Sequence, residues 1–205
     1  MQLPLPGNEA GRVGALRSYR ILDTPAEERF DDLVRLAAYV CGTPIGLIGL
    51  IDSSREWIKS RVGCDISEIP REISFGNYAI LQQDVLIVSD TLKDKRFARN
   101  QLATRAGVRF YAGAPLLTPE GYALGTLSVM DYVPRALTGE QTSRLTTAQL
   151  EAAAASAAER YTRLESARQA TPPFIESADW MRLPLTGYPD FATWQPYLDE
   201  IITHP

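Results

Sequence analysis

Two long β-type runs, Val108 to Leu117 and Ala123 to Met130, are separated only by Thr118-Pro119-Glu120-Gly121. Proline at the second turn position and glycine at the fourth suit a type I turn followed by a left-handed glycine, which folds the runs back on each other as a hairpin. A second pair of runs, Ile45 to Ile51 and Glu56 to Val62, is split by Asp52-Ser53-Ser54 and reads as another hairpin. No segment repeats, and no strand–helix–strand unit recurs, which excludes a solenoid and a doubly wound parallel sheet. The chain is expected to be α+β with an antiparallel sheet.

Helical signals flank these strands. Asn8 to Tyr19 reads as a short helix with Val13, Leu16 and Tyr19 on one side, weakened by Gly11 and Gly14. Thr24-Pro25-Ala26-Glu27 reads as a capping box opening a helix, with Phe30, Leu33, Val34, Ala37, Val40 and Cys41 following at helical spacing. Gly42 can end that helix in a left-handed conformation, and Pro44 prevents its resumption. Residues 63–73 read as loop, 74–81 as a helical turn or two, 85–88 as a brief strand and 93–102 as a surface helix or loop.

Thr138-Gly139-Glu140-Gln141 is a second capping box, and helical composition then continues to about residue 169. Leu150, Ala154, Ala157, Tyr161 and Leu164 form a short heptad seam. The first half of this helix is expected on the chain's own sheet, and the second half against its twin in a homodimer. Residues 170–205 hold six of the fourteen prolines and six aromatics. Trp180, Tyr188, Phe191, Trp194 and Tyr197 make this acidic tail a candidate interaction element, one that could also fold back onto the basic segment 93–109. The expected divisions are therefore 1–24, 25–150, the overlapping helix 138–169, and the tail 170–205.

The single histidine, His204, excludes a Ser-His-Asp triad and a histidine-based metal site in the body of the fold. Cys41 and Cys64 make no CxxC knuckle and no disulfide framework, so no metal is expected and a reducing, cytoplasmic setting is. Cys41 reads as a small buried hydrophobe, and Asp90, Asp94 and Asp131 read as turn and cap residues. The opening residues lack a basic and an apolar region of useful length, so no secretory signal is expected. The longest uncharged apolar run, Leu36 to Ile51, has sixteen residues interrupted by Gly42, Pro44, Gly46 and Gly49, too short and too broken for a membrane span. Net charge is −4. The one basic excess is Lys93, Lys95, Arg96, Arg99, Arg105 and Arg109, a candidate anion-binding lid but no broad face for nucleic acid.

In ordered series, several stretches resemble the GAF family of small-molecule-sensing modules, above all those of bacterial and cyanobacterial sensor kinases and cyclases. They are Ala15-Leu-Arg-Ser-Tyr-Arg-Ile-Leu-Asp-Thr-Pro25, Cys41-Gly-Thr-Pro-Ile-Gly-Leu-Ile-Gly-Leu-Ile-Asp52, Trp57-Ile-Lys-Ser-Arg-Val-Gly63, Asp94-Lys-Arg-Phe97, Arg109-Phe-Tyr-Ala-Gly-Ala-Pro-Leu116 and Gly125-Thr-Leu-Ser-Val-Met-Asp131. The resemblance runs from Asn8 to about Leu150. It implies five or six antiparallel strands, terminal helices on one face, and a ligand pocket on the other walled by residues 63–107. Members commonly read Ser-Phe-Cys-Ala-His-Ala-Ile where this chain reads Ser74-Phe-Gly-Asn-Tyr-Ala-Ile80, and a further common cysteine is replaced by Ser128.

Pocket candidates are therefore Trp57, Phe75, Asn77, Tyr78, Asp90, Phe110, Tyr111 and Ser128, as stacking or polar contacts. With the family's thiols and imidazole replaced, no catalytic residue and no cofactor are expected. The leading expectation is a non-enzymatic regulatory protein acting as a homodimer on another protein. The alternative is a sensor holding a cyclic nucleotide, a tetrapyrrole or a metabolite.

Overall fold

A computed structural model describes residues 3–149, 152 and 155. Helix α1 (Glu9–Ser18) is capped by Asn8, whose side chain accepts from the Gly11 N–H. Helix α2 (Glu28–Cys41) ends at Gly42 with φ +62°, the left-handed stop that the Gly-x-Pro pattern predicts. Its start differs from expectation. Glu27 is the N-cap and makes no side-chain cap bond, so the Thr24 capping box does not form. The Thr24 hydroxyl instead donates to the Ile21 carbonyl and accepts from Lys59 Nζ at 2.8 Å.

Strands β1 (Ile45–Ile51), β2 (Arg55–Val62), β3 (Glu68–Pro70), β4 (Leu86–Val88), β5 (Phe110–Leu117) and β6 (Ala123–Asp131) form one sheet in the order β3-β2-β1-β6-β5-β4. Every pairing is antiparallel. β3 falls where the sequence reads as loop: three residues give too little alternation to register, and Pro70 occupies an edge strand that tolerates a missing donor. The β5–β6 turn closes as expected, with Gly121 at φ +86° donating to the Thr118 carbonyl. β1 and β6 approach closely at Gly125, where a Cβ would stand 2.0 Å from the Gly49 carbonyl oxygen.

The sheet has two buried faces. On one, α1, α2 and helix α5 (139–149, with 152 and 155 also helical) bury Leu16, Phe30, Val34, Phe110, Leu127 and Leu145 together. Thr138 and Gln141 make the reciprocal bonds of the second capping box at 3.1 and 3.0 Å. Ala148, Ala152 and Ala155 join this core, so the start of the helix packs on its own sheet. The seam residues Leu150, Ala154, Ala157, Tyr161 and Leu164, and the tail residues Trp180, Tyr188, Phe191, Trp194 and Tyr197, lie outside the described residues.

A bulge decides how β2 serves this face. Ile48 pairs with Ser60 and Gly49 with Ile58, which leaves Lys59 as the extra residue. Both Lys59 and Ser60 thereby reach the α2 side. Ser60 donates to Asp31, while Lys59 Nζ, its side chain fully buried, donates to Thr24, the Pro25 carbonyl and Glu27. The ammonium also lies 5.2 Å from the Phe30 ring centre.

On the opposite face, the turn Arg71–Ile73, helix α3 (Gly76–Ala79) and helix α4 (Gln101–Thr104) roof a second core that includes Leu47, Ile58, Phe75, Phe97, Tyr111 and Met130. No helix among the described residues is long and apolar enough to cross a membrane.

Candidate functional site

Alternation along β5 and β6 sends Phe110 to the helical face and Tyr111 to the roofed one. The Tyr111 side chain bends over Gly113, where any Cβ would lie 2.1 Å from its hydroxyl oxygen. Ser128 stands opposite Gly113, and Thr126 stands opposite Pro115 and Gly49. The Tyr111 hydroxyl lies beside those of Thr126 and Ser128 and near the Glu56 carboxyl. No hydrogen bond of ordinary geometry joins the three hydroxyls, and all three are buried without a partner.

Glu56 is the center of this polar patch. Its carboxyl crosses over Gly49, whose Cβ would stand 1.9 Å from Oε1, and under Gly76, whose Cβ would stand 2.9 Å away. Its one hydrogen-bond partner among the described residues is the Ser74 hydroxyl, which donates to Oε2. Burial without a counter-cation pushes the carboxyl up to about 7, against the Ser74 bond that favors the ionised form. Burial, with Glu56 adding to it, also drives the Tyr111 phenol far above its ordinary range, so that hydroxyl stays neutral.

A continuous hydrogen-bonded chain links this carboxyl to the N-terminal helix. The Asn77 N–H donates to Ser74 Oγ at 3.1 Å, and Asn77 Oδ1 accepts from Arg71 Nε at 2.8 Å. Arg71 also donates to Glu9 of α1 at 2.6 Å and to the Asp52 carbonyl at 2.9 Å. Arg12 grips the same Glu9 through two bonds and reaches the Ala123 carbonyl of β6 at 3.2 Å. Asn77 further donates to the Pro4 carbonyl at 2.9 Å, which ties the segment before α1 to the roof. Burial opposes ionisation of Glu9, but the bonds from Arg12 and Arg71 outweigh it and hold that carboxyl down at about 2.

The expected pocket residues therefore divide. Phe75, Asn77, Tyr111 and Ser128 surround or brace the Glu56 patch. Tyr78 stacks edge-on against Phe97 at 4.8 Å, and Phe75 against Phe97 at 4.8 Å and Tyr111 at 5.4 Å. Trp57 and Phe110 belong to the helical core, on the far side of the sheet from a pocket. Phe110 follows from strand parity alone, since its neighbour Tyr111 points the other way.

Asp90 lies at a surface cleft of about 500 Å³ lined also by Ile87, Lys93, Asp94, Pro134 and Arg135. It accepts a forked bond from Arg109 at 2.9 Å. Part of the basic segment is matched by its own acids: Arg109 by Asp90, and Arg96 by Asp94 at 2.6 Å. Lys93 comes only to 3.7 Å of Asp90, and Lys95, Arg99 and Arg105 are exposed. Asp90, Asp94 and Asp131 cap local N–H groups, as turn residues do. Cys41 is buried, which pushes its thiol up to about 11.

The polar patch rests mainly on Glu56, Thr126, Arg71, Gly49 and Gly113, none of which stands out in the sequence, together with Ser74 and Gly76 of the substituted family motif. Glu56 opens β2 and looks like a solvated residue in an alternating strand. Its neighbour in parity, Ile58, was the available signal that position 56 faces a core.

The six-strand antiparallel sheet with helices on one face and a roofed polar center on the other defines a sensory or regulatory module. The chain belongs to the GAF family: the GAF domain family model matches residues 25–160. The GAF domain of a Coxiella burnetii phosphoenolpyruvate-protein phosphotransferase is 12% identical, with a TM-score of 0.58 over 77% of this chain and 99% of that one. The blue-light absorbing form of the Thermosynechococcus elongatus PixJ GAF domain is 15% identical, with a TM-score of 0.54 over 75% of this chain and 92% of that one. At such identities the likeness concerns the fold.

A Pseudomonas aeruginosa protein named cyclic di-GMP phosphodiesterase is 40% identical over 133 residues, 64% of this chain. The chain spans 23% of that relative's length. The expectation of a non-enzymatic protein is overturned by this match, since a relative named as a phosphodiesterase shares 40% identity, over its GAF part alone.

Proposed function

We propose that this chain is a regulatory GAF module of cyclic di-GMP turnover, acting as a homodimer and passing the state of its roofed polar face to a phosphodiesterase. The 40% identity to part of a cyclic di-GMP phosphodiesterase carries the choice of output. The bonded chain from Glu56 through Ser74, Asn77 and Arg71 to Glu9 supports the route, because anything that moves the roof also pulls on α1. Exchange between protomers would use the helix after β6, whose beginning is anchored on the sheet by Leu145 and Ala148.

The pocket chemistry argues against a covalently held tetrapyrrole: position 76 carries no thiol, and a Cβ there would press on the Glu56 carboxyl. The test is cellular. Cells lacking the chain are compared with cells restored by the wild type or by Asn77→Ala, and cyclic di-GMP is measured by mass spectrometry. A level that changes on loss, returns with wild type and fails to return with the variant is expected. An unchanged level on loss would contradict the reading.

A further inference from the structure

The roofed face holds a buried carboxyl with no cationic partner among the described residues, near three clustered buried hydroxyls that find no other hydrogen-bond partner there. We propose that Glu56, Tyr111, Thr126 and Ser128 form an internal binding site for one monovalent cation, a bare alkali ion or ammonium. Every side chain of this set presents oxygen. Carboxylate and hydroxyl oxygens suit hard cations rather than soft ones. An anion would meet the Glu56 charge, and an apolar ligand would leave the hydroxyls unpaired, each at a cost.

The charge of the ion follows from the charge of the site. Glu56 is the sole acidic group facing the patch from β2. Tyr111 from β5 stays neutral, β6 supplies Thr126 and Ser128, β1 supplies Gly49, and the roof supplies Ser74 and Gly76. No group of three His, Cys, Asp or Glu side chains that could hold a metal occurs among the described residues. A divalent ion would therefore retain an uncompensated buried charge, whereas a monovalent ion neutralises Glu56. Such an ion and a proton compete for the same carboxyl, so binding strengthens as pH rises. Arg71, the guanidinium nearest along the bonded chain, gives Nε to Asn77 and Nη1 to Glu9 and the Asp52 carbonyl; its Nη2 is buried without a partner, but among the described residues no ion pair joins it to Glu56.

The inference rests on the sensory reading of this face only for its consequence, and its test reads binding without any output. The full chain is unfolded thermally at pH 8 in sodium, potassium, ammonium and N-methylglucamine chlorides at one ionic strength. A bound ion raises the midpoint by mass action, saturably with its concentration. At least one small cation is expected to raise the midpoint above the bulky N-methylglucamine control, and the comparison of the three identifies the ion. The rise should vanish in Glu56→Gln and shrink in Ser128→Ala, with both variants folded by circular dichroism. Equal midpoints in all four salts would overturn the site, as would a rise that persists in Glu56→Gln. That result leaves the cyclic di-GMP reading standing, and an unchanged cellular level leaves this site standing.

Discussion

Glu56→Gln should make the protein more stable at pH 8, by about 3 kcal/mol in buffer whose only cation is bulky, and should change little at pH 4. The sign follows from the carboxyl being raised from 4.5 to about 7 on folding. Below 4.5 both the folded and unfolded forms hold the proton, and the full stability is present. As pH rises toward 7 the unfolded chain releases its proton while the folded one keeps it, so stability falls. Above 7 the folded form must carry an unpaired buried charge. Glutamine removes that penalty and keeps the shape. Its amide oxygen can accept from Ser74, and its NH2 can serve the hydroxyls of Tyr111, Thr126 and Ser128. Urea unfolding of both proteins across pH 4 to 8 checks this, with wild-type stability sloping downward and the variant losing that slope. Glu9 acts at the other end with the opposite sign. Held at about 2, its contribution is present above 4.5 and is lost as pH falls toward 2.

Lys59→Met should lower stability by about 3 kcal/mol, the scale of removing one partner from a buried ion pair. Lys59 is buried to its tip, and its ammonium binds Thr24, the Pro25 carbonyl and Glu27 in the segment that leads into α2. Methionine retains most of the stem packed near Phe30 but takes the ammonium from Thr24 and the Pro25 carbonyl, while Glu27 keeps its bond from Arg29 at 2.7 Å. The segment 21–27 should loosen first, seen as faster hydrogen exchange there than in β5 or β6. Arg55→Ala offers a contrast. Its bonds to Asp23 and Glu68 are solvent-exposed, and loss of exposed pairs typically costs well under half as much.

Most of the fold was legible in the sequence because its punctuation is local. Gly42 and Pro44 end α2, Thr118-Pro119-Glu120-Gly121 turns the last hairpin, and Thr138 with Gln141 opens the final helix. The Thr24 start failed because a residue 35 positions away claims the hydroxyl, and no local pattern reports that. The bulge at Lys59 breaks strand parity in the same way: Lys59 and Ser60 read as alternating residues yet both serve α2.

The site was less legible. Gly76 and Ser128, where the family carries thiols, lie at that face. The acid beside them did not show, because Glu56 lies remote in sequence from both and meets them only after β1, β2 and β6 pair. Gly49 and Gly76 carry the trace of that meeting, as positions where the carboxyl leaves no room for a Cβ. The aromatic character of Trp57 and Phe110 suggests a pocket role, whereas strand parity places both in the helical core.

Glu56 is an un-neutralised acid inside the roofed face. Carbon-13 NMR of protein labelled at the glutamate side-chain carboxyls, with Glu56 assigned by its loss in Glu56→Gln, follows that group directly in buffer lacking small cations. Titration of the Glu56 signal near pH 7, apart from the other glutamates, is the predicted result; a midpoint in the ordinary carboxylate range would contradict it.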